Sequence, residues 1–222
     1  ESHQPLLEDR QIKNAGIAII APDRGLTGGL NANIFRSVSD FIKSQSNPIK
    51  VVVVGKKSVD FARRNGIETI AEYTGIGDRP GPGDTLPIAA DIAEAFSNET
   101  VDSFHIAYGQ FVNTTLQRPV IEPLLPVIPS EVVVNSVGYI FEPNAAEVLR
   151  RLLPRYLETL VHHAILEGNA SEQSARMVAM NQATDNANDM VGDLTLLMNK
   201  LRQETITTEL LDIVGGVAAL ES

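Results

Sequence analysis

Residues 171–220 repeat apolar or small side chains at intervals of three and four positions. This spacing predicts one long α-helix with a narrow apolar seam. The seam positions are Met177, Met180, Thr184, Ala187, Met190, Leu194, Leu197, Leu201, Thr208 and Leu211, with a shift of phase after Ala187 and the polar Glu204 in line. A narrow apolar seam on an otherwise polar helix indicates packing against a second helix, as in a coiled coil.

Residues 15–141 alternate between short apolar runs and amphipathic stretches. The pattern predicts strands at 15–21, 50–55, 67–71, 104–108, 132–134 and 139–141, and helices at 30–44, 58–65 and 84–96. The proline-rich segment 119–129 is assigned to no strand. Interleaved strands and helices indicate an α/β, layered, Rossmann-like domain with a mainly parallel sheet, which we assign to residues 1–141.

Capping residues predict where two of the short helices begin. Ser58 is placed at the N-terminus of the second helix, and Asp84 or Thr85 at that of the third, with Pro87 in its first turn.

The C-terminal region, residues 142–222, is predicted to form a helical shaft. The helix is expected to begin at residues 142–144, and Pro154 to kink or restart it. Residues 155–214 number about sixty and would extend roughly 90 Å at the helical rise. Because a domain of this size is much narrower, we expect this helix to project from it.

Composition narrows the class of protein. The chain has 222 residues, 43% of them hydrophobic, and a mean hydropathy of -0.01, as is ordinary for a soluble protein with one good core. We expect no secretory signal and no membrane-inserted segment. The absence of cysteine excludes disulfides. A formal net charge of -10 opposes binding to nucleic acids and to anionic lipids.

Two glycine-containing turns stand where phosphate-binding loops occur, after a strand and before a helix. Residues 25–29 match neither the dinucleotide fingerprint nor a Walker A motif, and residues 55–58 lack the earlier glycine that a Walker A motif requires. Tight turns that direct the following helix are the preferred interpretation, with nucleotide binding as the alternative. The four histidines, His3, His105, His162 and His163, show no metal-ligand spacing. We therefore expect no active site, no metal and no cofactor.

Two distant blocks of sequence resemble the gamma subunit of F-type rotary ATP synthases. The first is Asp23-Arg24-Gly25-Leu26-Thr27-Gly28-Gly29-Leu30-Asn31. The second is Ala175-Arg176-Met177-Val178-Ala179-Met180, followed by Ala183-Thr184-Asp185-Asn186 and by residues 199–210. The resemblance covers essentially the whole chain. It implies a central-stalk rotor subunit that couples rotation of a membrane c-ring to ATP synthesis or hydrolysis in the catalytic beta subunits, without catalysis of its own.

The resemblance also implies contact sites. Positions matching a catch that hydrogen-bonds to the alpha and beta subunits are Arg202, Gln203, Thr207 and Glu209. Positions matching the foot on the c-ring are Tyr139, Phe141 and Glu142, and those of an apolar bearing tip are Val214, Val217 and Leu220. The alternatives are, respectively, ordinary polar surface residues, strand residues packed in the domain's own core, and a frayed terminus without a role.

The resemblance further implies the partners and the location. These are the alpha, beta and epsilon subunits and the c-ring of a proton-translocating complex, at the cytoplasmic face of the bacterial plasma membrane. Gamma subunits usually begin with a long helix that pairs antiparallel with the C-terminal one, and the sequence here matches from just after it. We therefore expect half of a coiled coil, and self-association or fraying of the isolated chain. The other hypotheses are a nucleotide- or flavin-binding α/β enzyme and a coiled-coil adaptor.

Overall fold

The computed structural model describes residues 4–128, 142 and 144–220, and it has an α/β fold as predicted. The strands are β1 (Ala15–Ile20), β2 (Ile49–Val54), β3 (Glu68–Tyr73), β4 (Ser103–Phe111) and β5 (Gln117–Leu125). The helices are α1 (Leu30–Ser44), α2 (Lys56–Arg64), α3 (Pro82–Ser97) and α4 (Ala145–Leu220), preceded by a short 3-10 helix, Pro5–Leu7. The sheet order is β3-β2-β1-β4-β5, and only β5 runs antiparallel to its neighbour.

Strand β1 lies at the centre of the sheet and is buried on both faces. Ile17 and Ile19 join the core under α1 and α2. Ala18 and Ile20 join the core on the other face, under α3 and α4. This alternation explains the uninterrupted apolar run of β1, because a parallel strand covered on both faces has no solvent side.

Helix α2 begins two residues before the predicted cap. Its first residue is Lys56, whose N–H donates to Asp23 Oδ1 at 2.8 Å. Ser58 is fully buried instead, and within the described residues its hydroxyl has no partner. The local pattern was misleading because a carboxylate from a different loop satisfies the start of this helix.

Helix α3 also begins earlier than predicted, at Pro82. Asp84 is the third residue of the helix, and its carboxylate accepts the N–H of Gly81 at 2.8 Å. The side chain therefore caps the helix from inside the first turn, and neither Asp84 nor Thr85 is the residue that precedes it.

Strand β5 was not predicted from the sequence, because it falls in the proline-rich segment. Pro119 pairs with Gly109 and Pro123 with His105 across the antiparallel ladder. Proline is tolerated because β5 is an edge strand among the residues that the structure describes, so a missing N–H can face away from the ladder. The strands predicted at 132–134 and 139–141 lie outside the described residues.

Helix α4 starts where the sequence predicts. Asn144 accepts the N–H of Glu147 through its side chain at 2.9 Å, which makes it the N-cap. The predicted restart at Pro154 is wrong, because α4 is one element from Ala145 to Leu220.

The chain divides into two compact units, residues 1–178 and residues 179–222. The boundary predicted after residue 141 rests on the role of each segment rather than on compactness, and it stays a prediction. The first unit contains the sheet, helices α1 to α3 and the beginning of α4. The second consists of the remainder of the helix.

Candidate functional site

The second unit exposes a single helix. Every residue from Met180 to Val217 is exposed to solvent. Large apolar side chains are among them, including Met190 at 64%, Leu194 at 57% and Leu210 at 57% exposure. A surface helix of a self-contained protein would bury such a face, so these side chains indicate a surface for partners.

The predicted seam lies on this exposed helix. Its large residues Met177, Met180, Met190, Leu194, Leu197 and Leu201 are all at least 38% exposed, and Ala187 is exposed as well. A role in a coiled coil stays a prediction.

A second apolar stripe lies on the opposite side of the same helix, and the sequence analysis missed it. Its residues are Leu196, Ile206, Leu210, Ile213 and Val217, between 45% and 71% exposed. Leu210 follows the seam residue Leu201 by nine positions, which at 3.6 residues per turn places it about 180° around the helix. The signal was available, because positions 206, 210, 213 and 217 alternate steps of four and three. This part of the helix therefore presents apolar surface in two opposite directions.

The four predicted catch residues lie on two sides of the helix. Arg202 and Glu209 are seven positions apart, or about two turns, and share one side. Gln203 and Thr207 share another side, and the Thr207 hydroxyl donates to the Gln203 carbonyl at 2.9 Å. A partner of Thr207 must therefore donate a hydrogen bond to it. All four side chains are exposed.

The predicted tip and foot are described only in part. Val214 and Val217 are 64% and 51% exposed, and Glu142 is exposed too. Tyr139 and Phe141 lie outside the described residues, as does the side chain of Leu220.

Charge on the exposed helix is uneven. Asp185, Asp189 and Asp193 follow one another at intervals of four residues, and the sequence contains no lysine or arginine between Arg176 and Lys200. Like charges at this spacing destabilise an isolated helix by about 0.2–0.5 kcal/mol per pair. This stretch therefore favours basic or hydrogen-bond-donating surroundings.

Within the first unit, helix α4 brings together the two blocks of sequence that carry the family resemblance. Arg176 donates from Nη1 to the carbonyl of Gly25 at 2.6 Å, and its Nη2 pairs with Glu172. Glu172 is 8% exposed. Burial raises the pKa of Glu172, the charge of Arg176 opposes that shift, and the nearby Asp78 and Asp23 add to it. The contact of Arg176 with Gly25 was not predicted, although Arg176 lies in the second block and Gly25 in the first.

Asp23, in the same loop as Gly25, connects two further segments. Its Oδ1 accepts the N–H of Lys56, and its Oδ2 accepts the N–H of Gly75 at 2.9 Å. The N–H of Lys57 is also bonded, to the carbonyl of Pro22. The start of α2 is therefore occupied by protein acceptors and faces a carboxylate, which is unfavourable for a phosphate and supports the interpretation of residues 55–58 as a turn.

The three histidines that the structure describes make separate contacts. His162 Nδ1 is 3.2 Å from the Thr85 hydroxyl, and His163 Nε2 is 3.9 Å from Glu167. Burial lowers the pKa of His105, whose ring lies 4.8 Å from that of Phe41. Within residues 4–128, 142 and 144–220, no three His, Asp or Glu side chains form a group that could bind a metal. In that same part of the chain, no helix is both long and apolar enough to cross a membrane.

Comparison with known proteins identifies the family. The ATP synthase family model matches residues 1–220. The ATP synthase gamma chain of Dehalococcoides mccartyi is 55% identical over 217 residues, which are 97% of this chain and 76% of that protein. The gamma chain of Desulfitobacterium hafniense is 45% identical over 98% of this chain and 77% of its own length.

Two solved structures show the same fold. A chain of the mitochondrial ATP synthase of Euglena gracilis, from its OSCP/F1/c-ring structure, aligns with a TM-score of 0.72 at 20% identity, over 94% of this chain and 73% of that one. A chain in the central stalk and c-ring structure from Tetrahymena thermophila aligns with a TM-score of 0.64 at 21% identity, over 80% and 79%. At these identities the likeness establishes the fold alone.

A Rossmann-like domain whose sequence continues into a helix with exposed apolar stripes defines a subunit that packs into a larger assembly. The relatives show to which family of subunits the chain belongs. The chain belongs to the ATP synthase gamma family, so the family predicted from the sequence is confirmed.

Proposed function

We propose that this chain is a rotor that couples rotation of a membrane c-ring to conformational change in the catalytic beta subunits, and that it makes and breaks no covalent bond itself. The observation that carries the proposal is the exposed helix 180–217, with apolar side chains on opposite sides, in a member of the gamma family. A shaft enclosed by several subunits needs apolar contact in more than one direction, whereas a simple two-helix coiled coil needs a single seam.

The differences between the sides of the helix suggest how rotation would act. One side carries the seam, another carries Leu210 and Ile213, and Asp185, Asp189 and Asp193 add a local acidic stretch. At any given rotation angle, each surrounding subunit would contact a different side of the helix. Contact energies that differ between conformations shift their populations, so a turning helix would favour a different conformation in each beta subunit in turn.

Arg202, Gln203, Thr207 and Glu209 are proposed as the catch that bonds to the alpha and beta subunits. Their two pairs point to two sides of the helix, so they would reach two neighbouring loops or two faces of one loop. Each hydrogen bond to a neutral group contributes about 0.5–1.5 kcal/mol net, which allows the catch to form and break during rotation.

The remaining contacts follow from the same proposal. Glu142, with Tyr139 and Phe141, would belong to the foot on the c-ring, and Val214, Val217 and Leu220 would form the apolar bearing. The partners would be the alpha, beta and epsilon subunits and the c-ring of a proton-translocating complex. The location would be peripheral, at the cytoplasmic face of the bacterial plasma membrane.

Reconstitution of the complex with alpha, beta and epsilon subunits and the c-ring in liposomes tests the catch. The double variant R202A/E209A is expected to lower ATP-driven proton transport severalfold. The matched control is K200A, which removes a neighbouring exposed charge on the same helix, 3.9 Å from Glu204, and should leave transport within about twofold. Equal transport by both variants would contradict the catch.

The rotor itself is tested by the wild-type chain. It should co-purify with alpha and beta subunits, which a coiled-coil adaptor unrelated to the synthase would not do. Millimolar ATP or flavin should leave its melting temperature unchanged, because ligand binding to the folded state raises it. A strong stabilisation by either ligand would favour the nucleotide- or flavin-binding enzyme instead.

A further inference from the structure

The loop between β1 and α1, residues 22–29, carries an unusual exposed residue. Leu26 has a φ of 64° and is 74% exposed. A branched side chain in the left-handed region is disfavoured, and such conformations persist only where the surroundings enforce them. The neighbours of Leu26 are both fixed: Thr27 is buried at 2% exposure, and the carbonyl of Gly25 accepts the hydrogen bond from Arg176.

A cleft that opens to solvent lies between this loop and α4. Pro22, Asp23 and Arg24 line it on the loop side, and Asn169 and Glu172 on the α4 side. Directional bonds across the cleft therefore add to the surrounding packing in holding the loop against α4.

Arg176 supplies such a bond from α4. Its guanidinium is planar, so the ion pair with Glu172 through Nη2 orients Nη1 toward the Gly25 carbonyl. Burial and the nearby carboxylates of Asp78 and Asp23 disfavour the charged form of Glu172, and Arg176 stabilises that form. The Arg176–Glu172 ion pair and the hydrogen bond from Arg176 to the Gly25 carbonyl thus depend on each other.

The loop in turn is connected to the sheet. Asp23 accepts the N–H groups of Lys56 and Gly75, which follow β2 and β3 respectively. Arg176 lies two residues before Val178, the last residue of the first unit. A force carried along α4 therefore reaches the ends of two parallel strands through Arg176, Gly25 and Asp23.

We infer that Arg176 is a positioning residue for coupling: it makes loop 22–29 and helix α4 move as one body within the first unit, so that torque passes from the helix to the sheet. The inference rests on the proposed rotor function. Lysine cannot fully replace Arg176. An ammonium group lacks the planar arrangement of N–H donors with which a guanidinium bonds to both Glu172 and the Gly25 carbonyl.

Hydrogen exchange of the isolated full chain tests the local part of this inference. In R176A, the amides of residues 24–29 should exchange at least tenfold faster than in wild type, and in R176K by a smaller factor. R155A is the matched control, since Arg155 lies on the same helix and pairs with Glu158 at 3.0 Å and 71% side-chain exposure. Because R176A leaves Glu172 buried without its partner, the double variant R176A/E172Q repeats the test without an uncompensated charge. Exchange no faster than in R155A, in both R176A and the double variant, would overturn the inference.

Reconstituted complexes test the coupling part. In the double variant, the ratio of ATP-driven proton transport to ATP hydrolysis should fall at least twofold, while R176K should retain most of the wild-type ratio. Faster loop exchange with an unchanged ratio would overturn the inference. Failure of the wild-type chain to assemble with alpha and beta subunits would instead contradict the proposed function, and the exchange measurement would still decide whether Arg176 fixes the loop.

Discussion

The hydroxyl of Ser171 donates a hydrogen bond of 2.7 Å to the carbonyl of Gly109, and this bond joins α4 to β4 inside the core. Ser171 has no solvent exposure. Glycine at position 109 suits this close approach, because a Cβ there would lie 3.0 Å from Leu30 Cδ1 and 3.4 Å from Ser171 Cβ, and these neighbours would have to shift slightly. The helix thus approaches the strand closely enough for a short side chain to reach the backbone.

Substitution of Ser171 by alanine tests the value of this bond. S171A leaves a buried carbonyl without a partner, so we expect it to lower the free energy of unfolding by about 1–3 kcal/mol. The control is S44A, because Ser44 also donates to a carbonyl at 2.7 Å, that of Phe41, but at an exposed site. Urea denaturation should show a much smaller loss for S44A. Equal losses would show that burial of the bond is unimportant.

Gly55 is the second position where backbone geometry limits the sequence. Its φ is 93°, and a Cβ would lie 1.8 Å from the carbonyl oxygen of Ala21. G55A should therefore destabilise the fold by about 3 kcal/mol or more, from backbone strain and displacement of the β1–α1 loop together.

Gly66 provides the control for Gly55. Its φ is 63°, but a Cβ would meet nothing within 4 Å. G66A should cost only about 1 kcal/mol, the penalty of a left-handed alanine. If chemical denaturation shows that G55A and G66A lose similar free energies of unfolding, the close contact of residue 55 with Ala21 relaxes at no cost.

The sequence predicts the fold where the signal is local. The apolar runs of β1 and β2 and the periodicity of α1 and α4 are each determined by their own residues, so those elements occur where expected. The starts of α2 and α3 were misjudged for different reasons. Asp23, a residue of another loop, satisfies the start of α2, and Asp84 caps α3 from within its first turn. Strand β5 was missed because its prolines are tolerated only at a sheet edge, and edge position is a property of the assembled sheet.

The candidate site, like the fold, could be predicted only where the signal is local in the sequence. The seam residues were found because one helix face repeats in the sequence, and the stripe through Leu210 could have been found by the same test on the opposite face. The bond between Arg176 and Gly25 joins residues 151 positions apart. A contact at that separation leaves no periodic trace in a single sequence, so only the fold reveals it.

Asp102 makes the stability of the first unit dependent on pH. Its Oδ2 accepts the N–H groups of Lys13 and Asn14 at 2.8 and 3.0 Å. Burial alone would raise the pKa of Asp102, but these two hydrogen bonds and the charges of Arg10 and Lys13 outweigh burial and lower it below the usual value. A carboxylate with a lowered pKa stabilises the fold above its unfolded-state pKa of about 3.9, and this contribution is lost as the pH falls through the folded-state pKa.

Substitution D102N should therefore cost about 2 kcal/mol at pH 7, the value of hydrogen bonds to a charged acceptor. The difference between wild type and D102N should shrink as the pH is lowered from about 4 toward 2, which urea titrations at each pH would measure. The control is the exposed Asp60, whose substitution D60N should change stability by less than about 0.5 kcal/mol at pH 7. A difference for D102N that stays constant down to pH 2 would show that the carboxylate charge is irrelevant.

The exposed seam should govern association of the chain without contributing to its fold. Met190, Leu194 and Leu197 are between 51% and 64% exposed, so substitution of all three by glutamine removes no buried contact of the described structure. We expect the denaturation midpoint of the first unit to stay unchanged, since surface substitutions are usually within about 0.5 kcal/mol each. Light scattering should show the wild-type chain self-associating, because water-exposed apolar seams pair. The triple variant should be monomeric, and T195A, a substitution on another side of the same turns, should associate like wild type. A triple variant that associates as strongly as T195A would show that surfaces other than the seam drive association.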